Sequence, residues 1–275
     1  MNADFHEAID YNECGHGPTI VLVPGSCSTG TAWRPLIAAL DGHFRCVATS
    51  LPGYGGTAER RTAHDTSIAH VAEAVEAVIL RAAAPVHLVG HSFGGLAALS
   101  VALRARVSLA SVAILEPPAV TLLELDPGDQ RHALAFRLMK TEYFAAHASG
   151  NQEAISAMID FYGGAGTFAS LPARVRAYAI ETTRVNLVDW QSAYGFDIPP
   201  ATLARLRLPT LVARGSGSHP AMQRITEILA ERARCSSLMT IEGAAHFMIS
   251  THPHDVARLI AQHVERADAD MCLQA

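Results

Sequence analysis

The chain has 275 residues, 49% of them apolar and 17% charged, with a formal net charge of −5. That length buries a large core and suits one sizeable domain with room for an inserted subdomain. The acidic balance provides no basic stripe for a nucleic acid or an anionic membrane surface.

At the N-terminus, Met1 to Asp10 carries acids and no apolar stretch, so no signal peptide is expected. Thr19 to Val23 is a β-branched run ending at Pro24-Gly25, which predicts a buried strand opening into a loop. A helix is expected from about Ala32, with Trp33, Leu36, Ile37 and Leu40 at helical spacing. Phe44 to Thr49 predicts the next strand, closed by the tight loop Leu51-Pro52-Gly53-Tyr54-Gly55-Gly56. Ser67 to Ala82 carries one apolar stripe, Ile68, Val71, Val75, Val78 and Ile79, and predicts a helix.

Val86 to Val89 is apolar enough for a central strand, and a helix through Leu96, Leu99 and Leu103 follows it. Ser111 to Leu115 predicts a strand ending at Glu116-Pro117-Pro118. The regular alternation to about residue 120 implies a parallel sheet with right-handed crossovers. From 121 to 205 the alternation stops, and this stretch is expected to be a helical insertion folded over the sheet edge. It resumes with a strand at Pro209 to Ala213, a helix near Met222 to Arg232, a strand at Ser237 to Ile241 and a helix from Asp255 to Val264.

No apolar run approaches the roughly 18 residues needed to cross a bilayer. Five cysteines (Cys14, Cys27, Cys46, Cys235, Cys272) are dispersed without a Cys-x-x-Cys pair. That set predicts reduced thiols in a cytoplasmic protein rather than a disulfide or zinc framework.

Gly90-His91-Ser92-Phe93-Gly94 fits G-x-S-x-G, a weak pattern alone. A buried strand before it and an apolar helix after it supply the strand–turn–helix setting of a nucleophile elbow. Ser92 is then the candidate nucleophile. A serine hydroxyl needs a base to take its proton. His246, in Gly243-Ala244-Ala245-His246 after the last strand, is the candidate base. Of the other histidines, His87 is read as part of a strand, His91 as part of the elbow, and His252 and His254 as a solvated loop before the last helix. His252 and His254 lack a third partner at recognisable metal spacing.

Together these residues resemble the α/β-hydrolase superfamily over almost the whole chain. Pro24-Gly25-Ser26 resembles the family's His-Gly-x loop, Leu51-Pro52-Gly53-Tyr54-Gly55 its L-P-G-x-G loop, Gly90 to Gly95 its elbow, and Gly243 to His246 its histidine loop. The resemblance implies an eight-stranded, mostly parallel sheet flanked by helices, with a core of 1–120 and 206–275 and a helical cap over 121–205. It implies an oxyanion hole from the backbone N–H groups of Ser26 and Phe93.

Two departures stand out. Pro24 replaces a histidine that is mostly structural in the family. Ser218 occupies the place, three residues after Gly215, where the family commonly carries its acid. A serine cannot balance an imidazolium. Some members carry the acid after the sixth strand, and Glu116 stands there in this chain. Glu116 is therefore the candidate third member of the triad.

Among the insertion's aromatic and sulfur residues, Met139, Tyr143, Phe144, Phe161, Tyr162, Phe168, Trp190 and Tyr194, most are expected to form its own core. The expected activity is two-step hydrolysis of an ester-like bond in a small, largely apolar molecule, with no cofactor, metal, nucleic acid or membrane partner. The oligomeric state stays open. The alternatives are a carbon–carbon bond hydrolase or lyase on the same fold, or a non-catalytic ligand-binding protein, which the serine at 218 favours.

Overall fold

The computed structural model describes residues 8–83 and 85–274, and for 271–274 the backbone alone. Most of the Met1 to Asp10 stretch and the thiol of Cys272 therefore lie outside the described residues. The strands are β1 (Asn12–Cys14), β2 (Thr19–Val23), β3 (Arg45–Ala48), β4 (Val86–His91), β5 (Leu109–Leu115), β6 (Thr210–Gly215) and β7 (Ser236–Ile241). They form one sheet in the order β1-β3-β2-β4-β5-β6-β7. Only β1 runs antiparallel to its neighbour.

The α-helices are α1 (Arg34–Ala39), α2 (Ile68–Arg81), α3 (Phe93–Arg104), α4 (Gln130–Ala148), α5 (Ser156–Gly163), α6 (Thr167–Ser170), α7 (Ala173–Glu181), α8 (Thr183–Gly195), α9 (Pro200–Leu203), α10 (Pro220–Arg232), α11 (Met248–Thr251) and α12 (Pro253–Gln274). The fold is that of an α/β hydrolase with seven strands among the described residues rather than eight. The segment just before β1 does not extend the sheet. Asp10 instead fastens to the loop after β3, accepting from Ser50 Oγ at 2.7 Å and from the Gly56 N–H at 3.0 Å.

Side-chain alternation along the parallel strands divides the core in two. Val21, Leu88, Val112 and Val212 pack on the face covered by α2, α3 and α10. Ile20, Leu22, Val89, Ala113 and Leu211 pack on the other, under α1, α11 and α12. A strand buried on both faces must be apolar at nearly every position, which is why β2, β4 and β5 read as continuous apolar runs.

Between β5 and β6 the chain is helical, α4 to α9, with no strand. Its buried residues, Phe136, Tyr143, Ile155 and Trp190 among them, join the first core. No helix of the described residues is long and apolar enough to cross a membrane.

Strand order reverses between β2 and β4. From β2 the chain crosses to β3 on one side, then returns to β4 on the other. In open parallel sheets, loops leaving the strands' C-terminal ends at such a reversal diverge and leave a crevice. The Ser26 loop leaves β2 there, and Ser92 follows β4.

Candidate active site

Ser92 joins β4 directly to α3, with φ 54° and ψ −126°. A non-glycine residue in such a region costs about 1–3 kcal/mol and persists only where its surroundings over-determine it. The Ser92 N–H is tied to the Leu115 carbonyl at 2.8 Å, and its own carbonyl accepts from Gly95 and Leu96. A Cβ on Gly90 would fall on the Gly94 backbone, and one on Gly94 on the carbonyl oxygens of Val23 and Pro24. The two elbow glycines are thus required by close backbone approach.

His246 arrives from the turn after β7, where Gly243 has φ 75°. The turn is held by Gly217 N–H on the Ala244 carbonyl (2.8 Å) and by His91 Nε2 on the His246 carbonyl (2.7 Å). A carbonyl only accepts, so His91 carries its proton on Nε2. Burial, with His246 nearby, pushes the His91 pKa down to about 3, and the ring is neutral.

Glu116 follows β5 with φ 45°, and its side chain is fully buried. Its Oε2 lies 2.7 Å from His246 Nδ1. Its Oε1 accepts from the Gly215 N–H at 2.8 Å and from the Ser218 hydroxyl. Burial acts to raise the Glu116 pKa, but the bonds from His246, Ser218 and Gly215 outweigh it and hold the carboxyl below its ordinary range. An ionised carboxylate only accepts, so Nδ1 of His246 holds the proton. Nε2, 3.0 Å from Ser92 Oγ, is left to accept the serine's proton. The sheet thus brings together Ser92, His246 and Glu116, residues up to 154 positions apart.

Phe93 follows Ser92 directly, and Ser26 follows Gly25, which packs against Ser92. Phe93 opens α3, so its N–H is one of the amides that a helix leaves without an i−4 partner. Gly25 sits so close that a Cβ there would lie 2.9 Å from Ser92 Cβ. The Ser26 hydroxyl donates to Asp189 Oδ2 at 2.5 Å.

A cavity of about 1020 Å³ reaches Ser92 and His246 and is bounded by Met158, Ile159, Tyr162 and Trp190 from α5 and α8. Of the eight insertion residues considered in the sequence, Tyr162 and Trp190 line it, whereas Met139, Tyr143 and Phe168 are buried in the core. The Tyr162 ring stacks on the His246 imidazole, centroids 4.0 Å apart and planes at 12°.

No motif in the sequence points to this stack, to Asp189 or to the Ser218–Glu116 bond. Asp189 left one signal: a charged residue among Asn186, Trp190 and Ala193 on the buried face of α8. His254 is not in a loop. Pro253 starts α12, and His254 lies in its first turn, because proline suits the first helical position.

The chain matches the Alpha/beta hydrolase family over residues 20–259. The chain belongs to this family. The hydrolase is 26% identical over 276 residues to the pimeloyl-[acyl-carrier protein] methyl ester esterase of Aeromonas salmonicida, covering 94% of this chain and 99% of the relative. It is 22% identical to the (E)-2-((N-methylformamido)methylene)succinate hydrolase of Acinetobacter baylyi, covering 93% of each. Among solved structures it resembles a thermophilic esterase from Thermogutta terrifontis (TM-score 0.75, 19% identity, 94% of this chain and 93% of the other). It also resembles an alpha/beta hydrolase from Sphaerobacter thermophilus (TM-score 0.71, 21% identity, 93% and 95%).

Proposed function

We propose that this hydrolase cleaves carboxylic esters through an acyl-enzyme on Ser92. The observation that carries this reading is the unbroken contact chain from Ser92 Oγ through His246 to Glu116. Ser92 attacks the ester carbonyl as its proton passes to His246 Nε2. The imidazolium keeps its Nδ1 proton against Glu116, which balances the charge. The amides of Ser26 and Phe93 receive the oxyanion. His246 then protonates the departing alcohol and, in the second half, takes a proton from the water that releases the acid.

The segment 121–205 acts as a cap over this centre, a role supported by the α5 and α8 residues lining the cavity. That cavity stands at the upper end of ordinary ligand pockets. Its size and its apolar inner wall support an ester with an extended apolar portion. The methyl ester named for the Aeromonas salmonicida relative is consistent with this class. The case for a non-catalytic binding protein weakens, because Ser218 is engaged with Glu116 instead of leaving the acid's place empty. The dispersed cysteines, with no Cys-x-x-Cys pair, support cytoplasmic residence.

Hydrolysis of p-nitrophenyl acetate and butyrate by wild type and Ser92→Ala tests the proposal. A loss of about 10³-fold or more is expected in the variant. Equal rates would remove Ser92 from the chemistry.

A further inference from the structure

Asp189 lies on α8, in the helical segment between β5 and β6, yet its carboxylate reaches three parts of the core. Oδ2 accepts from Ser26 Oγ at 2.5 Å and from Tyr54 OH at 2.6 Å. Oδ1 lies 2.8 Å from Arg61 Nη1, and the Arg61 side chain is fully buried. Arg61 is held in turn by Glu59 at 2.6 Å. Asp189 itself is 2% exposed. Burial raises the Asp189 pKa, and the Arg61 cation with the Ser26 and Tyr54 hydroxyls opposes that rise.

The loop it grips is under tension. Cys27, next to Ser26, has φ 57°, a conformation that disfavours residues with a Cβ. Ser28 Oγ closes the same turn on the Gly25 carbonyl at 2.8 Å. The direction of the Ser26 N–H therefore depends on how this turn is pinned. Asp189 supplies the pin from outside the loop.

We infer that Asp189 is a positioning residue: by fixing the Ser26 hydroxyl it aims the Ser26 amide at the oxyanion, so that the helical cap completes the catalytic centre. This rests on the acyl-transfer reading above. The amide contributes to rate only if it is already directed at the position where negative charge develops, and small displacements of such donors are expensive. Losing the pin lowers the rate of the chemical step and leaves ground-state binding largely intact. The Ser26 hydroxyl is one of three groups on Asp189, so removing it leaves the Tyr54 and Arg61 contacts in place.

The experiment compares wild type, Ser26→Ala, Ser26→Thr and Ser92→Ala with p-nitrophenyl butyrate, and measures inhibition by a trifluoromethyl ketone whose adduct carries an oxyanion. Ser26→Ala keeps the amide and loses only the hydroxyl. It is expected to lower kcat about tenfold or more with KM within about threefold, and to weaken the ketone by a similar factor. Ser26→Thr, which retains the hydroxyl, is expected to recover most of that loss. In a double-mutant cycle, Ser26→Ala is expected to cost far less on an Asp189→Asn background than on wild type. Should Asp189→Asn fail to fold, with Arg61 left only Glu59 of its two carboxylate partners, the Ser26 pair still decides. A Ser26→Ala kcat within about twofold of wild type, with Ser92→Ala inactive, would overturn the positioning role while leaving the nucleophile in place. An active Ser92→Ala would overturn both.

Discussion

The Ser218 hydroxyl donates to Glu116 Oε1, while Glu116 Oε2 receives His246 Nδ1. In the proposed triad, the position where the family commonly keeps its acid therefore supports an acid that follows the neighbouring strand. Two carboxylates here would share one buried pocket, and like charges so close cannot both ionise. Ser218→Asp alone is expected to lower kcat/KM at least tenfold. Combined with Glu116→Ala, the same substitution is expected to regain activity over Glu116→Ala alone. Esterase kinetics on the three variants check this.

Glu116→Gln keeps the shape of the side chain and removes its charge. The imidazolium formed during attack then lacks its counter-charge, and the amide can stabilise the wrong tautomer. A fall in kcat on the order of 10³-fold is expected, with KM little changed. Near-wild-type activity would take Glu116 out of the triad.

Acid should destabilise the protein partly through His91. Its pKa is pushed down to about 3 in the folded state, below the ordinary histidine value of about 6.5. Between these values the unfolded chain binds a proton that the folded chain does not. Stability is therefore full above about pH 6.5 and declines as pH falls toward 3, by up to about 1.4 kcal/mol per pH unit from this group. His91→Gln, which can still donate to the His246 carbonyl, is expected to show a shallower decline over that window. Urea unfolding between pH 7 and pH 4 measures both slopes.

Gly94→Ala places a methyl group on the carbonyl oxygens of Val23 and Pro24. The clash is with backbone on both sides, so no rotamer relieves it. A loss of about 3 kcal/mol is expected, read by thermal or urea unfolding. An unaltered midpoint would show that the elbow has more space than its close contacts indicate.

Much of this arrangement is legible in the sequence where burial is strongest. Thr19 to Val23 matches β2 because a strand covered on both faces is apolar throughout. The α2 stripe places that helix within one residue at each end, and Ser67 caps it by accepting from Ala69 N–H. β1 is silent because Asn12, Glu13 and Cys14 are all exposed, leaving no alternation to read. α12 runs on to Gln274, well past the expected Val264, because Glu265 to Asp270 holds four charged residues and no large apolar one to mark the helix. Ser92 and His246 stand in motifs with local chemistry. Asp189 and Tyr162 act across the fold: their partners are 163 and 84 positions away, and no spacing rule joins them.

The proposed mechanism passes through a covalent bond to Ser92 Oγ. Intact and peptide mass spectrometry after treatment with a fluorophosphonate reads it directly. One adduct per chain, located on Ser92 and absent from Ser92→Ala, is predicted. An adduct elsewhere, or none on a folded wild-type enzyme that hydrolyses esters, would contradict it.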